Sequence, residues 1–106
     1  LHREMINQNT VSNVRKAKVL VTNPTHYAVA LDYDKDKTPL PVILAKGEGW
    51  LAQRMIAAAK EEGIPIMRNV PLAQALYREG TENAYIPRDL IGPVAEVLRW
   101  VESLKQ

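Results

Sequence analysis

Two short runs of β-branched and aliphatic residues flank a four-residue segment that contains proline, and this pattern constrains the fold most strongly. The runs are 18–22 (KVLVT) and 27–33 (YAVALDY), and the segment Asn-Pro-Thr-His at 23–26 separates them. Asn is favoured at the first position of a β-turn, and Pro at the second, where its fixed φ already fits. The pattern therefore predicts a strand, a tight turn and a second strand.

The rest of the chain alternates between strand and helix patterns. Residues 1–16 are typical of a marginal, solvated helix or a linker rather than of a core segment. Further strands are predicted at 42–46 and 64–67, and helices at 48–62, 71–79 and 88–105. Pro71 and Pro87 stand where helices begin, and Gly63 and Gly80 where they end. Alternating strands and helices predict an α/β domain around a small sheet.

Composition excludes several classes of function. The 106 residues allow one domain, and the absence of Cys rules out disulfides, thiolate zinc sites and a Cys nucleophile. A net charge of +2 and the absence of Phe do not indicate a nucleic-acid surface. The basic excess lies in residues 1–23, with four basic residues against one acidic residue.

No stretch approaches the roughly 20 apolar residues of a membrane span. Because the chain begins with Leu1, we expect a fragment of a longer protein.

Motifs for metal binding and multi-turnover chemistry are weak. Asp32, Asp34 and Asp36 copy the opening of a calcium loop, but Lys37 and Ile43 stand where that loop requires Gly and Glu. These aspartates therefore indicate a solvated loop. The two histidines have no second ligand at zinc spacing, and no nucleophile elbow or phosphate-binding loop occurs. No metal, cofactor or multi-turnover activity is predicted.

The bond between Asn23 and Pro24 has a second interpretation beside a structural β-turn. Pro24 has no backbone N–H, so attack of that nitrogen on the Asn side chain, the usual route to deamidation, is closed. The Asn23 side-chain nitrogen can instead attack its own main-chain carbonyl, form a succinimide and break the chain. A rigid turn must hold that amide in a near-attack pose. Thr25 could hydrogen-bond the developing oxyanion or shape the turn, and His26 could transfer a proton or only stabilise the turn.

The turn belongs to an ordered series of motifs along the chain. The series comprises residues 19–31 (VLVTNPTHYAVAL), 45–47 (AKG), 63–66 (GIPI), 71–77 (PLAQALY), 86–87 (IP) and 94–98 (VAEVL). It resembles the FlhB/YscU family, the autocleaving switch proteins of flagellar and virulence type III secretion export apparatus, over roughly residues 5–102. Gln74 departs from the pattern, because many relatives carry Arg there.

The resemblance implies a small mixed β-sheet of about four strands surrounded by about four helices. It divides the chain into a membrane-proximal linker helix, residues 1–17, and a cytoplasmic switch domain, residues 18–106. It also implies an N-terminal transmembrane domain outside this sequence, which places the domain at the cytoplasmic face of the bacterial inner membrane. Self-cleavage between Asn23 and Pro24, with Thr25 and His26 in the same exposed loop, would change the substrate specificity of export.

The implied partners are other export-apparatus proteins, namely the export gate and the length-control protein, with secreted substrates as a further class. The cleaved N-terminal piece is a partner too, because the two pieces stay associated, and no nucleic acid is expected. Two alternatives remain: a non-cleaving interaction module whose turn is only structural, and a small hydrolase, for which no converging polar groups are visible. The stretch 9–16 and the ending near Gln106 favour the virulence branch over the flagellar branch.

Overall fold

Five strands and four α-helices form within residues 2–105, which the computed structural model describes, with side chains from residue 8 onward. The elements in chain order are α1 (His2–Arg15), β1 (Val19–Asn23), β2 (Tyr27–Asp32), β3 (Val42–Glu48), α2 (Gly49–Glu62), β4 (Ile66–Arg68), α3 (Val70–Glu79), β5 (Ala84–Tyr85), a 3-10 helix (Arg88–Leu90) and α4 (Ile91–Ser103).

The strands form one mixed sheet in the order β4-β1-β2-β3-β5. β4 pairs in parallel with β1, and the other neighbouring strands are antiparallel. The predicted mixed α/β sheet is therefore confirmed, and so are its four predicted strands. The sequence did not predict β5, because a strand of two residues is too short to show an alternation of apolar and polar side chains. β1 lies inside the sheet with a partner on each side, so the strand that leads into the turn is held along both edges.

Helices cover both faces of the sheet. All five residues of β1 are buried, and so are the four central positions of β2. Val19 and Val21 point into a core with α3 and α4, whereas Leu20 points into a second core with α1 and α2. A strand that is buried on both faces reads as a continuous apolar run, which explains the composition of residues 19–21.

Most of the residues that the sequence predicted to begin or end a helix lie at the helix ends in the structure. Gly63 ends α2 in the left-handed conformation with φ of 74°. Asn69 caps α3 by accepting a hydrogen bond from Leu72 N–H at 3.2 Å, so Pro71 is the second residue of that helix and not the first. Gly80 closes α3 for a different reason, because a Cβ there would lie 2.2 Å from the Ile43 side chain. The predicted last helix begins as a 3-10 turn at Arg88 before α4.

The end of α1 is part of the core, which corrects the expectation of a solvated helix for that part of the segment. Val14 is fully buried, and the Asn13 side chain donates to Leu44 O of β3 at 3.2 Å. Arg15 also lies 3.5 Å from Glu61 of α2. Whether residues 1–17 link the domain to a membrane stays a prediction. Among the helices of the described residues, none has the length and apolar character to cross a bilayer.

Candidate functional site

The Asn-Pro-Thr-His segment forms a closed turn at the end of the β1–β2 hairpin, as predicted. Asn23 and Tyr27 are the last paired residues of the ladder, and His26 N–H donates to Asn23 O at 2.9 Å. Asn23 is buried with 8% of its surface exposed, whereas Thr25 and His26 are exposed. The turn therefore joins a fixed upstream residue to an accessible downstream loop.

The hydrogen bond that closes the turn reaches the carbonyl at which a cut would occur. Cyclisation of the Asn23 side chain would place negative charge on the Asn23 main-chain oxygen. A donor aimed at that position beforehand stabilises such an oxyanion without reorganisation. His26 N–H already donates to this oxygen and would be that donor. The sequence pointed only to the Thr25 side chain for this role, because every residue except proline carries a backbone N–H.

The side chains of Thr25 and His26 interact with each other. Thr25 Oγ1 and His26 Nδ1 share a hydrogen bond of 2.7 Å on the exposed side of the turn. In this arrangement the Thr25 hydroxyl is engaged with the imidazole. The proton-transfer role of His26 and the oxyanion role of the Thr25 hydroxyl stay predictions. The four predicted residues are brought together as consecutive positions of one turn.

The backbone on both sides of the candidate cut is held by other elements. On the upstream side, Asn69 N–H donates to Thr22 O at 3.0 Å, next to the cap of α3. On the downstream side, Gly49 N–H at the start of α2 donates to His26 O at 3.0 Å. The Gln53 side-chain amide, one turn further along α2, donates to Pro24 O. The turn is thus fixed between the N-terminal ends of two helices.

An aromatic pair supports the first residue of β2. The Tyr27 ring stacks on Tyr77 of α3 with centroids 4.6 Å apart and an interplanar angle of 25°. Lys46 Nζ lies 5.0 Å from the Tyr77 centroid and donates to Tyr77 O at 2.9 Å and Gly80 O at 2.8 Å. Burial raises the pKa of Tyr77, and the nearby Glu48 carboxylate raises this pKa further. The phenol therefore stays neutral beside the turn.

The aspartate motif of the sequence does not form a ligand cluster. Asp34 accepts from the Asp36 backbone N–H at 3.0 Å and lies 4.0 Å from the Lys37 ammonium, as in an ordinary solvated loop. Across the described part of the chain, no three His, Cys, Asp or Glu side chains are grouped as metal ligands. The chemistry available at the turn is that of amide, hydroxyl and imidazole groups.

Solved structures with the same fold include the cytoplasmic domain of FlhB and the C-terminal domains of EscU and PscU. The cytoplasmic domain of FlhB from Shewanella putrefaciens has a TM-score of 0.89 and 36% identity, and the match covers 94% of this chain and 77% of that one. The PscU C-terminal domain has a TM-score of 0.71 and 49% identity over 74% of this chain and 99% of that one. The chain thus shares the fold of this class of domain.

The chain belongs to the FlhB HrpN YscU SpaS family, whose model matches residues 1–101. Flagellar biosynthetic protein FlhB of Yersinia enterocolitica is 46% identical over 104 residues, which cover 98% of this chain and 27% of that protein. Yop proteins translocation protein U of Yersinia pestis is 42% identical over 101 residues, which cover 95% of this chain and 28% of that protein. The chain therefore spans little more than a quarter of these curated relatives. Because both branches match comparably, assignment to the virulence branch stays a prediction.

Proposed function

We propose that this chain cleaves itself once, between Asn23 and Pro24, and that the cut controls a substrate-specificity switch in type III protein export. The observation that carries the proposal is the Asn23 carbonyl, which accepts the His26 backbone N–H at 2.9 Å inside a turn fixed on both sides. Asn23 is buried at the end of a strand that is paired on both edges, so its conformational freedom is small. Restriction of this kind favours an intramolecular attack by a poor nucleophile.

The reaction is balanced without a co-reactant. The Asn23 side-chain nitrogen forms a bond to its own carbonyl carbon, while the bond from that carbon to the Pro24 nitrogen breaks. The proton lost by the attacking amide is matched by the proton gained by the Pro24 amine. One product ends in a succinimide, and the other begins with Pro24. His26 is the candidate for moving the proton, and Thr25 is the candidate for hydrogen-bonding the developing oxyanion or shaping the turn.

The intact mass of freshly purified protein under denaturing conditions tests the cut. We expect two fragments, 1–23 and 24–106, and N-terminal sequencing of the larger one should begin Pro-Thr-His. Asn23→Ala removes the nucleophile and should give a folded, uncut chain. A chain that is still cut at this bond after Asn23→Ala would rule out cyclisation.

The switch would act through contacts with other export-apparatus proteins, the export gate and the length-control protein among them, and with secreted substrates. A groove between residues 34–41 and α4 supports such contacts, because Leu40, Pro41, Ile91 and Leu98 give it an apolar floor beside charged residues. The full protein would place this domain at the cytoplasmic face of the inner membrane through an N-terminal transmembrane domain. The cleaved N-terminal piece would remain bound through β1.

A persistent full-length mass after long incubation would favour the non-cleaving interaction module. The same groove and the same family membership fit that module, so the covalent state of the bond between residues 23 and 24 separates the two functions. Pull-down of export-gate proteins by cut chain and by Asn23→Ala chain tests the switch itself. We expect the two forms to retain different partners, and identical retention would contradict a switch at this turn.

A further inference from the structure

We propose that Gln53 is a positioning residue for cleavage of the Asn23–Pro24 bond, an inference that rests on the proposed function. Its side-chain amide donates a hydrogen bond to Pro24 O, the carbonyl of the residue whose nitrogen leaves. Gln53 lies on α2, 29 positions from Pro24 in the sequence. Gln53 reaches neither the attacking nitrogen nor the Asn23 carbonyl through this bond, so it acts through the conformation of the turn.

The geometry of α2 explains why Gln53 reaches the turn. Gly49 N–H, one of the unpaired donors of the first helical turn, bonds to His26 O and docks the helix against the hairpin. Gln53 follows Gly49 by four residues and therefore lies on the same face of the helix. Helical side chains point back toward the N-terminus, so the Gln53 amide extends over the residues docked at Gly49. Two successive turns of α2 thus hold carbonyls at both ends of the segment 24–26.

The bond to Pro24 O fixes the one backbone angle that the proline ring leaves free. The ring sets φ of Pro24, whereas its ψ sets the orientation of the peptide between Pro24 and Thr25. A type II turn would need positive φ at the β-branched Thr25, and Thr25 does not have it. The competing forms are open turns that lack the hydrogen bond between the first and fourth residues. By holding Pro24 ψ, Gln53 keeps His26 N–H on the Asn23 carbonyl.

The rate of cleavage in newly made chains tests this role. Chains are labelled in a short cell-free translation pulse, chased, and resolved on a denaturing gel, and the loss of full-length chain gives a first-order rate constant. Gln53→Met keeps the length and helix propensity of the side chain but removes the donor. We expect cleavage to slow by roughly threefold to tenfold, the range for loss of one hydrogen bond at an exposed position. Gln53→Lys restores a donor and should recover most of the rate.

The matched control is Arg54→Met, the neighbouring exposed position on α2, which should cleave at the wild-type rate. Urea unfolding of Gln53→Met in an uncut Asn23→Ala background should show a cooperative transition within about 1.5 kcal/mol of the background, the contribution of one hydrogen bond and the equivalent of a roughly tenfold change in rate. Such a transition separates positioning from a loss of fold. Equal rates for wild type and Gln53→Met, or equally slow Met and Lys variants, would overturn the role of Gln53 while leaving self-cleavage intact. A wild-type chain that is never cut would instead overturn the proposed function.

Discussion

The retention of the N-terminal piece after the cut should depend on Leu20. This side chain is fully buried in the core between the sheet and helices α1 and α2, and it belongs to the piece 1–23. Leu20→Ala leaves a cavity there, and substitutions of this kind cost about 3 kcal/mol. Before the cut, the loss lowers the free energy of unfolding of one chain. After the cut, the same loss lowers the affinity between two pieces.

The expected size of the affinity change follows directly. A loss of about 3 kcal/mol corresponds to a roughly hundredfold weaker association of the pieces. Native size-exclusion chromatography over a dilution series measures it, with the two pieces identified by mass in each fraction. Cut Leu20→Ala protein should separate into its pieces at concentrations at which cut wild-type protein elutes as one species.

The matched control makes the same chemical change at an exposed position. Leu104→Ala lies in the other piece, where the leucine is 53% exposed, and should leave retention unchanged. In the uncut Asn23→Ala background, urea unfolding should report the same loss of about 3 kcal/mol for Leu20→Ala. Cut Leu20→Ala pieces that stay together as tightly as wild type would refute the view that packing of β1 joins the two products.

Two further predictions concern the support of the turn. Lys46→Met removes the ammonium that donates to Tyr77 O and Gly80 O at the end of α3, and should lower stability by about 2 kcal/mol, seen in urea unfolding as a lower midpoint. A change below about 0.5 kcal/mol would contradict this role of Lys46. The pKa of Tyr77 is raised above 10.0, chiefly by burial and then by Glu48, so the folded state holds this proton more tightly than the unfolded chain. Stability should therefore fall as the pH rises above about 10, and Tyr77→Phe should reduce the decline in urea midpoints measured across that range. An equal alkaline decline in Tyr77→Phe would assign the loss to other groups.

The local features of this fold could be predicted from the sequence, because they depend on residues that are neighbours in the chain. The run at 18–22, the proline turn and Gly63 at the end of α2 were all readable from residue type and spacing. The docking of α1 was not readable, because the buried Val14 is isolated among polar residues. The strand β5 was also missed, since pairing with β3 and not its own two residues defines it.

The candidate site likewise has residues that the sequence predicted and contacts that only the structure shows. Asn23 and Pro24 were identified because their chemistry is intrinsic to the dipeptide. The contacts that fix the turn come from residues far away in sequence: Asn69 lies next to Thr22, and Gln53 lies next to Pro24. An exposed glutamine on a helix and a capping asparagine each have an ordinary explanation within their own element. Only the folded arrangement brings them to the candidate bond.

The position of the turn reconciles two requirements that conflict in most loops. Cyclisation needs a fixed asparagine, and Asn23 is buried at the end of an interior strand whose preceding carbonyl, Thr22 O, is bonded to Asn69 N–H. A switch needs exposed residues whose rearrangement changes the surface that a partner binds, and Thr25 and His26 are exposed. The hydrogen bond upstream of the cut comes from Asn69 beside α3, and those downstream come from Gly49 and Gln53 of α2. Breaking the peptide bond between residues 23 and 24 removes none of these hydrogen bonds. The cut would therefore separate only the Asn23 carbonyl from the Pro24 nitrogen, while the sheet and α2 keep both ends in place.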